Sequence, residues 1–129
     1  MGRRARQESN VSGAKLVAAD RHGNAWVVSV VHPDLDSLAS QQLSAELQEL
    51  VDQVASDPVV VDLSRVAFLQ SIALGALINF RNRLKDRGTT VALAGPIPRI
   101  RRALAITRLD VIFGVYQDVP QALQALQRN

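Results

Sequence analysis

Apolar and polar positions along this chain alternate between two spacings. Lys15–Ala19 and Ala25–Val31 are short apolar runs on either side of Asp20-Arg21-His22-Gly23-Asn24, a turn-rich cluster that predicts a β-hairpin. His32-Pro33-Asp34-Leu35-Asp36 breaks the second strand. Asp36 or Ser37 can then cap a helix, because a short side-chain oxygen satisfies a first-turn N–H that has no intrahelical partner. Over Leu38–Val54 the residues Ala39, Leu43, Leu47, Leu50 and Val54 step by four, four, three and four, which is one face of an amphipathic helix.

Asp57-Pro58 ends that helix. Val59-Val60-Val61-Asp62-Leu63 is β-branched without polar alternation until its end, the pattern of a strand covered on both faces. A long helix is predicted from Ser71 to Arg87, stopped by Gly88 in a position that tolerates a left-handed backbone. Thr89–Ala94 reads as a strand, and Gly95-Pro96-Ile97-Pro98 turns the chain into a short helix over Arg99–Thr107, since proline fits a first helical turn. Val111–Tyr116 reads as the last strand. Asp118 caps a final helix with Pro120 in its first turn and Ala122, Leu123 and Leu126 along one side. The order β-β-α-β-α-β-α-β-α predicts an α/β fold, a mixed β-sheet packed with about four α-helices. It would form one domain over residues 14–129 behind a flexible basic tail, residues 1–13.

With 129 residues and 47% hydrophobic content, such a chain can bury a core without covalent staples. The absence of cysteine removes thiol catalysis and zinc-thiolate sites and is compatible with a reducing, cytoplasmic setting. The longest charge-free stretch, Val66–Phe80, is shorter than the ~20 apolar residues of a membrane span. Arg3, Arg4 and Arg6 are followed by polar residues, unlike a signal peptide. The net charge of +3 conceals a polarity: residues 11–80 carry −5 and residues 81–108 carry +7. A two-signed surface suits a protein partner at least as well as a polyanion.

Neither a G-x-G-x-x-G nor a G-x-x-x-x-G-K-[ST] phosphate loop occurs, and no cofactor is expected. His22 and His32, with Asp34 and Asp36, could be imagined as a weak metal site, but they read as ordinary polar turn residues. Arg99, Arg101, Arg102 and Arg108 could contact phosphates; with 4% aromatics and no helix-turn-helix pattern, a solvated or protein-facing basic surface is the expectation rather than nucleic acid. Trp26 and Phe68 are expected in the core. Asp62, at a strand end, has no second acid, base or nucleophile beside it in the sequence, so no catalytic constellation emerges.

The run from Val61-Asp62-Leu63-Ser64 through Phe68-Leu69-Gln70-Ser71-Ile72-Ala73-Leu74-Gly75 to Leu77 resembles V-D-L-S-x-V-x-F-(I/L)-D-S-S-G-L-G-x-L, a pattern of the STAS domain, the fold of bacterial anti-sigma factor antagonists. Arg101 to Phe113 resembles the R-x-x-L-x-x-(T/S)-G-L-D-x-x-F of the same family, and Asp34-Leu35-Asp36 resembles the E-L-D that opens its first helix. The resemblance implies a non-enzymatic signalling module that binds an anti-sigma factor of the serine-kinase type and so regulates a sigma factor. Its phospho-acceptor would be Ser71, and its partner-binding residues Asp34, Asp36, Gln70, Ser71, Ile72 and Leu74. The departures fall on the switch: Gln70 replaces an acid, Ile72 a second serine, Ala73 a glycine, and Pro33 stands where glycine is frequent. Phosphorylation at Ser71 is therefore expected to be weak or absent, and without phosphate Ser71 is simply a helix N-cap. The alternative is a STAS subunit of a larger assembly, such as a stress-signalling scaffold or a lipid ABC transporter; a small-molecule-binding protein or enzyme is a third class. A homodimer through a sheet edge at Val27–Val31 or Val111–Tyr116 is compatible with the pattern.

Overall fold

The computed structural model describes residues 15–127, so the tail expected over residues 1–13 lies outside it. Strands β1 (Val17–His22) and β2 (Ala25–Val30) form the expected antiparallel hairpin. Its turn is only Gly23-Asn24, and Gly23 has φ +63°, the left-handed conformation a tight two-residue hairpin requires at its first position. The chain then pairs Asp34–Leu35 as a short strand β3 before helix α1 (Ser37–Val54), capped by Asp36. Strand β4 (Val59–Asp62), a two-residue strand β5 (Phe68–Leu69), helix α2 (Ser71–Asp86) and strand β6 (Val91–Ala94) follow. Helices α3 (Pro98–Ile106) and α4 (Leu109–Ile112), strand β7 (Gly114–Tyr116) and helix α5 (Val119–Gln127) complete the fold.

Five strands form one sheet in the order β1-β2-β4-β6-β7, parallel except for the β1–β2 pair. Val59, Val60 and Val61 are fully buried, as the absence of polar alternation predicted. Val59 and Val61 face the larger core, built with Leu43, Leu47, Leu77, Phe80 and Leu84 of α1 and α2. Val60 faces a smaller one with Val27, Ala92, Ala94 and Ala122, closed by Leu123 and Leu126 of α5. Helices thus cover both sheet faces, and each βαβ crossover carries the chain back to start the next parallel strand.

Four readings of the sequence are corrected. Asp34–Leu35 and Phe68–Leu69 are not plain loop: they pair in parallel as a separate two-stranded sheet. Residues 109–112 form a helical turn, because Leu109 is needed in the core, and this shortens the last strand to Gly114–Tyr116. Phe68 is 43% exposed rather than core, whereas Trp26 packs partly buried against the core and its Nε1 donates to Asp57 at 3.3 Å. Finally, Val27–Val30 lies between β1 and β4 and offers no free edge; the sheet's edges are β1 and β7.

One buried charge ties the sheet to its helix. Glu46, 6% exposed, lies on the apolar side of α1 between Leu43 and Leu50. Its carboxylate accepts from the Leu16 amide at 2.9 and 3.1 Å, from the Val17 amide at 3.1 Å and from Gln42 Nε2 at 2.8 Å. A buried carboxylate is tolerated only when its oxygens are filled this way, and charge-assisted bonds to backbone amides are stronger than neutral ones. Glu46→Leu leaves the Leu16 amide buried without an acceptor and is expected to lower unfolding free energy by about 1–3 kcal/mol, read from urea denaturation. Glu49→Leu, which removes only an exposed pairing with Lys15, is the control and should change little.

Candidate functional site

The C-terminal ends of β2, β4 and β6 lie at one edge of the sheet, and α1, α2 and α3 begin beyond them. Two loops meet at this edge. The Pro33 carbonyl accepts from the Ala67 amide at 2.8 Å and the Phe68 amide at 3.1 Å, and the Leu35 carbonyl accepts from the Gln70 amide at 3.1 Å. Leu35, fully buried, anchors the first loop. Strand alternation turns its neighbours Asp34 and Asp36 outward, and both are exposed.

Asp36 spends its carboxylate on the helix: Oδ1 accepts from the Ala39 amide at 2.9 Å. Next to it, Ser37 Oγ donates to Gln70 Oε1 at 2.7 Å, joining the starts of α1 and α2. Gln70, not Ser71, is the N-cap of α2, with φ −90° and ψ 169°. Its amide is committed to Ser37 and makes no capping bond, while its carbonyl takes the amides of Ala73 and Leu74. This corrects the reading of Ser71 as a cap. Ser71 is the first helical residue, exposed, and its hydroxyl has no partner among the described residues. The amides of Ser71 and Ile72 have no intrahelical acceptor, as at any helix start.

Ala73, fully buried, and Leu74, partly buried, pack against the core, so Leu74 supports this corner from below and presents only part of its surface. Ile72 is 46% exposed. Sequence reasoning missed two companions: Leu38, 73% exposed in the first turn of α1, and Phe68, 43% exposed on β5. Leu38 lies off the Ala39–Leu43–Leu47 stripe, and that offset was its signal; Phe68 gave none. All three side chains lie within two residues of the Ser37–Gln70 bond.

Other candidates separate. His22 ends β1 opposite Ala25 at the hairpin turn, whereas His32, whose Nδ1 accepts from the Asp34 amide at 3.3 Å, lies beyond the opposite end of β2. Among the described residues no three metal-ligating side chains cluster. Asp62 Oδ1 accepts from the Ser64 amide at 2.9 Å and holds a turn. Gly95, at φ +71°, lets the chain pass that turn, since a Cβ there would stand 3.2 Å from Ser64 Cβ. Arg99, Arg101, Arg102 and Arg108 are all exposed on and after α3. The helix starts therefore present apolar side chains, two outward acids and an open hydroxyl at one exposed corner.

The family model of the STAS domain matches residues 17–122. A curated protein of Thermotoga neapolitana, described as a candidate anti-sigma factor antagonist homologue, is 33% identical over 69 residues, covering 54% of this chain and 61% of that protein. A Thermotoga maritima protein of similar description is 30% identical, covering 52% of this chain and 59% of that protein, so the matched region spans about three-fifths of these relatives. Among solved structures, an anti-sigma factor antagonist from Mycobacterium paratuberculosis superposes with a TM-score of 0.77 at 28% identity, covering 86% of this chain and 92% of that one. An anti-sigma factor antagonist domain protein from Planctomyces limnophilus shares the fold, with a TM-score of 0.77 at 19% identity over 86% of this chain and 97% of that one.

The rigidity of the corner is testable without a partner. Asp36→Ala removes the α1 cap and should cost about 1 kcal/mol of stability by chemical denaturation. Asp36→Ser retains a capping oxygen and should recover most of it.

Proposed function

Since the chain belongs to the STAS domain family, we propose that it is an anti-sigma factor antagonist: a non-enzymatic module that docks on an anti-sigma factor through the corner where α1 and α2 begin, releasing a sigma factor. The observation that carries this reading is the exposure of Leu38, Phe68 and Ile72 around the Ser37–Gln70 bond. Large apolar side chains held by rigid elements supply the buried centre of an interface, and Asp34 and Asp36 supply a polar rim for a basic partner face. Affinity for one state of the partner then shifts its equilibrium. The proposed partner is of the serine-kinase type and acts in the cytoplasm; no helix among the described residues is long and apolar enough to cross a membrane.

Phe68→Glu and Ile72→Glu are expected to weaken binding to the host's anti-sigma factor at least tenfold each by calorimetry, with unchanged circular dichroism. Wild-type protein that captures no anti-sigma factor from its native host would overturn the function; wild-type affinity in both variants would move the docking surface elsewhere.

At Ser71 two influences compete. The free amides and dipole of α2 can accommodate a phosphate dianion. Gln70, however, cannot orient or deprotonate the hydroxyl as a carboxylate would, and its amide is already held by Ser37. Incubation with the cognate kinase and ATP should therefore yield little phosphoserine. Stoichiometric modification of Ser71 would show that the acidic neighbour is dispensable.

A further inference from the structure

At the opposite end of the sheet, where β6 begins, the surface opens into a cavity of about 290 Å³. Two cations and three hydroxyls line it: Arg81 and Lys85 from the second half of α2, Thr89 and Thr90 from the approach to β6, and Tyr116 from β7. Among the described residues no acidic side chain does. The floor is apolar, with Val91, Ile112 and Leu126.

Among the described residues the cations have no carboxylate partner and the hydroxyls no hydrogen-bond partner. Arg81 donates to Asn82 Oδ1 at 3.1 Å and, like Lys85, has no ion pair among the described residues. Neither do the hydroxyls of Thr89, Thr90 and Tyr116 have a hydrogen-bond partner there. Thr89 is the most telling, because it is only 7% exposed and buried hydroxyls are ordinarily satisfied. Gly114 shapes the wall: a Cβ at that position would stand 2.9 Å from Tyr116 Cε2 and 3.0 Å from its hydroxyl oxygen, so only glycine lets the ring fold back here. The C-terminal end of α2 opposes an anion with roughly half a negative charge, against two full positive charges on Arg81 and Lys85.

We infer that this cavity binds a small organic anion, its carboxylate or phosphate head held by Arg81, Lys85 and the hydroxyl of Thr89, its short apolar part against Val91, Ile112 and Leu126. The volume equals about ten waters at ~30 Å³ each, enough for such a head and a short chain. Ser71 and Lys85 stand at opposite ends of α2, roughly 21 Å apart at 1.5 Å per residue, so ligand and protein partner would occupy separate surfaces.

Titration of the full chain with hexanoate, hexyl phosphate, inorganic phosphate and hexanol at constant ionic strength, followed by amide NMR, tests this. Hexanoate or hexyl phosphate should saturably shift the amides of residues 89–92 and 114–116, with hexanol binding at least tenfold more weakly. The Arg81→Gln, Lys85→Gln double variant should weaken binding at least tenfold. Thr89→Val, which keeps the side chain's shape, should weaken it severalfold, with thermal melts verifying that both variants are folded. A preference for hexanoate or for hexyl phosphate identifies the head group. Absence of saturable shifts at millimolar concentration, equal binding of hexanol, or undiminished binding in the double variant would overturn the site. Inorganic phosphate binding as tightly as hexyl phosphate would overturn the apolar half of the assignment.

Discussion

The structure depends on the need to bury Val59, Val60 and Val61 on both sides of one strand. Each face must be covered, so α1 and α2 pack on one and α5 on the other. Neighbouring strands β2 and β6 can run parallel to β4 only because the chain crosses back through α1 and α2. This single requirement places the starts of α1, α2 and α3 along one sheet edge and the end of α2 at the other. The proposed docking corner and the proposed anion cavity lie at the two ends of that layered arrangement.

At the corner, the polar groups hold shape more than they advertise chemistry. Asp36 caps α1, Ser37 and Gln70 join two helix starts, and Asp62 holds the turn before β5. What is left facing outward is apolar or uncommitted. Exposed Leu38, Phe68 and Ile72 cost the isolated domain solvation that burial against a partner would return, at about 1.5–3 kcal/mol for each fully covered side chain. A reaction centre would reverse this distribution, with uncommitted acids and bases inside an apolar pocket. Gln70 in particular spends its side-chain oxygen on Ser37 and so joins the two helix starts.

Two positions work against local preference. Ala55, after α1, has φ 56°, and Arg108, between α3 and α4, has φ 63°, where the STAS pattern carries glycine. Arg108 lies in the left-handed helical region, where a side chain costs roughly 1–2 kcal/mol, whereas Ala55 pairs its positive φ with ψ −116°. The surrounding structure compensates: the Val54 carbonyl takes the Asp57 amide at 3.1 Å, and Leu109, 4% exposed, is drawn into the core immediately after Arg108. Burial of Leu109 is also why residues 109–112 coil as a helical turn where their apolar pattern suggests a strand.

The elements with strong periodicity were legible from the chain alone, because period and burial have the same cause: α1 and α2 by their helical stripes, β4 by its unbroken β-branched run, the hairpin by its turn residues. The resemblance to the STAS pattern located Ser71 and the Asp34–Asp36 turn. Tertiary structure decided what sequence spacing cannot encode. Pairing of β3 with β5 needs two segments some thirty residues apart to meet, and it turns Phe68 outward although its apolarity argues for the core. Glu46 is a polar residue on a helix until the amides of Leu16 and Val17, thirty positions away, fill its carboxylate. Likewise the cations of α2 and the hydroxyls of Thr89 and Tyr116 form a site only once the sheet has brought three separate elements to one end. Periodicity reports which face of an element is buried; which distant residue meets it there is fixed by packing.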